Sequence, residues 1–111
     1  MSQNPGLGTS NSSGVVSTKT PLTPISPTTS PVTSSSTEIL AANPLRLGCI
    51  IVNLSNNPVS LAFGADPAVS GNGITLTTLG SVYQMSEYDY TLDSINAIST
   101  AGSNVSIQEF E

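Results

Sequence analysis

The chain has 111 residues, of which 19 are Ser and 13 Thr; only 8% are charged, and there is no His, no Trp and a single Cys. Without His there is no Ser-His or Cys-His catalytic pair and no His-ligated metal, and one Cys excludes both an intrachain disulfide and a Cys-based zinc cluster. The net charge of −5, with Lys19 and Arg46 as the only basic side chains, argues against a surface for nucleic-acid phosphates.

Residues 1–37 read as an arm. They contain 18 Ser or Thr, 5 Pro, one charge (Lys19) and no aromatic, and only 7 of the 37 are apolar. Pro21, Pro24, Pro27 and Pro31 are spaced by three, three and four. Each proline fixes φ near −65°, removes an amide donor and pushes its predecessor to extended geometry, so the segment is expected to be extended and partly polyproline II. Three readings compete: a disordered linker, a mucin-like stalk, and an arm that orders along a partner. In the third, Val15, Val16, Leu22, Ile25 and Val32 are the apolar anchors that touch the partner. The PLTP and PISP repeats also look like ligands for proline-binding modules, but no flanking Arg supports that. The N-terminus has no basic run followed by an apolar stretch, so no secretory signal is expected, and an intracellular origin fits best.

Residues 38–111 hold every aromatic, all seven carboxylates and 34 of the apolar residues, so only they can bury enough surface to offset chain entropy. Short β-rich runs recur between turn residues, the pattern of an all-β domain. Residues 38–42 (EILAA) suit a helical turn or an edge strand. Residues 46–54 (RLGCIIVNL) are apolar on both faces, which predicts a central strand covered on both sides. After the turn cluster Ser55-Asn56-Asn57-Pro58, residues 59–63 alternate properly, and these two runs are expected to form a hairpin. Residues 64–73 are a loop; 74–79 and 81–85 are strands around Gly80; 87–93 (EYDYTLD) are an acidic, aromatic loop. Residues 94–99 and 104–110 are expected to close a second hairpin about Thr100-Ala101-Gly102-Ser103. Six strands predict a small antiparallel β-sandwich or barrel, preceded by the extended arm. A unit this small, with no disulfide or metal, is expected to gain stability from copies of itself or from a larger partner.

No motif carries chemistry. Glu87, Asp89 and Asp93 lack the Gly bend and ligand alternation of a calcium loop, and GADPAVSGNG lacks the Lys of a phosphate loop. No catalytic residue, cofactor or metal is expected, nor is an enzyme. Tyr83, Tyr88 and Tyr90 could stack on sugar rings, although such tyrosines more often cover a core edge or fill an interface. Cys49, inside an apolar run, reads as a buried thiol. No stretch of 18 apolar residues is present, so no membrane span is expected.

The order of features in residues 43–111 carries a resemblance. An Asn-Pro-x-Arg entry leads into an apolar strand ending at Asn, then a strand ending in Phe-Gly (NPLRLGCIIVNLSNNPVSLAFG). GNGITLTTLGS gives a Gly-led strand and a Gly-Ser turn, and SINAISTAGSNVSIQEFE gives an Ala-Ile strand, a Gly turn and a closing Val-x-Ile-x-Glu strand. This resembles the small β-sandwich modules of tailed-bacteriophage virion proteins, among them capsid decoration (cement) and head-fibre or tail-associated parts. In this chain Leu79-Gly80-Ser81 stands where a Pro-Gly-Gly-Ser turn is common. The resemblance implies a structural virion protein made in the host cytoplasm. Its partners would be the major capsid protein and copies of itself, as dimer or trimer, with no nucleic acid and no membrane. The arm would cross neighbouring subunits, and the acidic domain would face solvent. The alternative is a head-fibre or tail-associated module that contacts host glycans.

Overall fold

A computed structural model describes residues 21–111. Among these residues there are eight strands and no helix: β1 (Thr28–Val32), β2 (Thr37–Leu40), β3 (Gly48–Asn53), β4 (Val59–Phe63), β5 (Ile74–Leu76), β6 (Val82–Gln84), β7 (Ile95–Ile98) and β8 (Ser103–Phe110). They form two antiparallel four-stranded sheets, ordered β1-β8-β3-β6 and β2-β7-β4-β5. The expected all-β sandwich is therefore the fold, as two packed sheets and not a closed barrel.

The connections differ from the two expected hairpins. β3 and β4 lie in different sheets, and so do β7 and β8. Consecutive strands switch sheets throughout, except β4 and β5, which pair directly. The physical reason is burial. Each run has one strongly apolar face, and facing sheets about 10 Å apart bury all those faces together. Four short arches, residues 33–36, 54–58, 77–81 and 99–102, cross the sandwich at one end. Gly102, at φ 85°, lets the last of them turn back, with its amide donating to Ser99 O at 3.0 Å. Of the longer connections, 41–47 and 85–94 lie at the other end, whereas 64–73 leaves that end and folds back along the sheet until Ala68 N donates to Ser36 Oγ of the first arch at 2.8 Å. Gly73, at φ 70°, sits where a Cβ would come within 2.8 Å of Leu61 O, so the loop can close onto β4 only with glycine there.

The core is filled by the inward rows: Cys49 and Ile51 on β3, Val59 and Leu61 on β4, Ile95 and Ala97 on β7, Val105 and Ile107 on β8. Val32, Ile39, Leu76 and Tyr83 complete it. The outward row of β3 is not covered by a third layer. Ile50 and Val52 stay half-buried, Ile50 between Gln84 and Gln108, and Val52 between Val82 and Ser106. The expectation of a strand covered on both sides is corrected accordingly: side chains of the neighbouring strands, Gln84 and Gln108 among them, flank the outer row in place of a third layer.

The largest correction concerns the arm. Its second half is part of the folded unit, so the expected boundary between residues 37 and 38 is placed too late. β1 pairs with β8 from Thr28↔Ile107 to Val32↔Ser103. The pairing continues upstream: Ile25 N donates to Glu109 O at 2.9 Å, Thr23 N to Glu111 O at 2.7 Å, and Pro24 bridges Phe110. Prolines are tolerated because this is an edge strand, where only one side of the backbone needs donors. Val32 is 2% exposed and belongs to this chain's own core, not to a partner surface. Ile25 is half-buried, and its carbonyl accepts from Gln108 Nε2. Leu22 alone among the three described anchors is exposed, while Val15 and Val16 lie outside the described residues. EILAA resolves as the edge strand β2.

Candidate functional site

Each end of the sandwich is closed around a large, fully buried polar side chain. At the arch end this is Asn53, the inward residue that follows Cys49 and Ile51 on β3, and it is fully buried. Its Nδ2 donates to Asn57 O at 2.9 Å and Leu76 O at 3.0 Å; its Oδ1 accepts from Ser55 N at 3.1 Å and Ser103 Oγ at 2.8 Å. One amide thus ties three segments with all its hydrogen-bonding capacity met. Asn53→Asp is expected to destabilise by roughly 2–3 kcal/mol, because an acceptor would replace the donor that faces two carbonyls; a denaturation midpoint unchanged from the parent would contradict this role. Ser99 Oγ is buried nearby with no partner, so Ser99→Ala should cost no stability by the same measurement.

At the loop end the closing residue is Arg46, also fully buried. Its Nε meets Glu109 Oε2 at 2.7 Å. Nη1 donates to Asp93 O at 2.7 Å and Thr91 O at 3.1 Å, and Nη2 to Ala41 O at 2.6 Å. Asn43 Nδ2 joins Glu109 at 3.1 Å to Glu111 at 2.8 Å, and the Tyr90 phenol donates to Arg46 O. The guanidinium fork binds the 41–47 turn, the 85–94 loop and the end of β8 into one piece. Glu109 lies on the inward row of β8 after Val105 and Ile107, where a carboxylate is tolerable only because it is paired.

The acidic loop is braced a second time. Asp89 accepts from Ser86 N at 2.6 Å, Ser86 Oγ at 3.0 Å and Tyr83 OH at 2.8 Å. The Ser86 backbone bond, foremost, holds the Asp89 carboxyl below its ordinary value of 3.8. A depressed folded pKa contributes stability above the unfolded value and loses it as pH falls through the folded one. Asp89→Asn should therefore lower stability at neutral pH, and its difference from the parent should shrink in acid below about pH 4; a pH-independent difference would contradict the assignment. Burial, aided by the bond to Asp89, pushes the Tyr83 phenol upward. Burial likewise pushes the Cys49 thiol up to about 11, which suits an inert core thiol.

The three expected tyrosines do not form one platform. Tyr83 is 6% exposed, with its ring 5.5 Å from that of Phe63, so it is a core residue. Tyr88 is 92% exposed at the tip of the braced loop, and Tyr90 is 45% exposed with its hydroxyl engaged. Arg46 and Asn53 are what the sequence reading missed. The available signal was a polar residue continuing an inward apolar row, as Asn53 and Glu109 do.

Two clefts open on the surface. One of about 420 Å3 lies between β4 and its return loop, lined by Phe63, Asp66, Val69 and Ile74 among others. The other, of about 130 Å3, is lined by Leu22, Leu47, Ile50, Met85 and Phe110 among others. Among the described residues no group of three or more acidic or Cys side chains could hold a metal, and no helix is long and apolar enough to cross a membrane. No protein-family model, curated protein or solved structure matches the chain.

Proposed function

We propose that this chain is a structural virion protein of the capsid decoration type, which attaches to an assembled shell through its N-terminal segment and stiffens it. The observation that carries the reading is the way residues 23–32 are built into the sheet alongside β8. A pull on the chain upstream of Pro21, directed away from the loop end, runs along the strand axis. It loads the whole ladder in shear, so many hydrogen bonds must yield together. A tether attached in this way transmits force into the core, as a cement between subunits must do. The engaged ionisable and polar groups support the same reading, since buried Arg46 and Asn53 and half-buried Glu109 and Asp89 all hold segments together.

Particles assembled without the chain are expected to rupture at a lower temperature than decorated ones, and adding back the full chain should restore the difference. Equal rupture temperatures would overturn the cement reading. Tyr88 favours a second reading, a head-fibre or tail-associated module for host glycans, because the braced loop presents its ring almost wholly to solvent. Glycan-array binding abolished by Tyr88→Ala, together with no affinity for shells, would select it.

A further inference from the structure

Charge is distributed along the sandwich very unevenly. The four arches at one end (residues 33–36, 54–58, 77–81 and 99–102) contain no ionisable side chain. The opposite end carries Glu87, Asp89 and Asp93 on the 85–94 loop, and Glu109 and Glu111 at the close of β8, while Asp66 lies on the loop that folds back beside Asn96, and Glu38 is exposed on β2. Arg46, the one cation among the described residues, is buried and committed to Glu109. The same end exposes Leu22, Leu45, Leu47, Tyr88, Tyr90 and Leu92. The 43–47 turn connects these side chains: Tyr90 bonds Arg46 O, Asn43 N donates to Leu92 O at 2.9 Å, and Leu47 shares a cleft with Leu22. Leu22 also precedes the first paired residue, Thr23, so the described part of the leading segment begins at this end.

We propose that this loop end is a docking surface for a basic polypeptide surface with apolar anchors, and that it faces the shell. The inference rests on the decoration reading above and reverses the orientation expected from net charge alone, which would turn the acidic part to solvent. Carboxylates and exposed apolar side chains at one end fit a partner that combines Lys and Arg with apolar contacts. The tip is also preorganised. Arg46 and Asp89 hold the loop before any partner arrives, so little ordering cost falls on binding.

The test uses the full chain and assembled shells that lack it. Tyr88→Ala and Glu87→Lys are each expected to weaken shell binding about 10-fold or more, and raised salt should weaken the parent as well. Leu79→Ala, on an arch at the opposite end, should stay within about 2-fold. Both loop-end side chains are exposed, so thermal unfolding should be unchanged and serves as the control for folding. Loss with Leu79→Ala but not with the loop-end variants would overturn the orientation and leave the decoration reading standing. No binding of the parent chain to shells would overturn both. Sedimentation showing a dimer that Tyr88→Ala dissociates would assign the surface to a second copy and overturn the inference.

Discussion

Replacing Arg46 with Met is expected to destabilise the protein by about 3–5 kcal/mol, the cost of breaking a buried ion pair by removing one partner. The size follows from what is left behind. Glu109 loses its charge partner at 2.7 Å, and the carbonyls of Ala41, Thr91 and Asp93 lose their donors in one step. Such a loss would consume much of the stability usual for a domain of this size. Arg46→Lys retains the charge but not the planar fork, so it should recover only part of the deficit. Replacing the pair together, Arg46→Met with Glu109→Leu, should be milder than Arg46→Met alone, because no uncompensated carboxylate remains. Urea midpoints measure all three. An Arg46→Met variant within about 0.5 kcal/mol of the parent, the scale of an ordinary surface change, would show that the fork is dispensable.

The second large effect concerns the boundary of the folded unit. Deleting residues 1–20 leaves the ladder from Thr23 onward in the chain. Deleting residues 1–37 removes β1 and Val32, uncovers the edge of β8 and opens the flank of Val105 and Ile107. That variant should unfold or associate through the bared edge, since a long unpaired strand is a template for other chains. Val32→Asp, a single change that places a carboxylate among apolar side chains, should mimic it. Full stability of the longer deletion by circular dichroism and urea titration would return the boundary to residue 37.

The elements of residues 38–111 were legible because their alternation is strong: the apolar rows of β3, β4 and β8 stand out in the sequence, and the turn residues between them are Gly, Asn, Ser and Pro. Partner choice was not legible. RLGCIIVNL and VSLAF, joined by a short turn, fit a hairpin locally, and only the need to bury Ile51 and Leu61 against each other from facing sheets places them apart. β1 was hidden for a different reason. TTSPV has weak strand character and a proline, and it is a strand because β8, eight residues long, offers a full edge for it to pair with. The candidate site was partly legible. The acidic loop and its exposed Tyr88 were visible in EYDYTLD, while the burial of Tyr83 and the fork of Arg46 depend on contacts from residues 41 to 111 and leave little local trace.

Amide hydrogen exchange on the isolated full chain, with no shell or other partner present, tests the central claim most directly. If residues 23–32 belong to the sheet, Thr23 and Ile25, which donate to Glu111 O and Glu109 O, should be protected along with the donors of β1. Exchange at the rate of a free peptide across that whole segment, with β8 and β3 still protected, would contradict it.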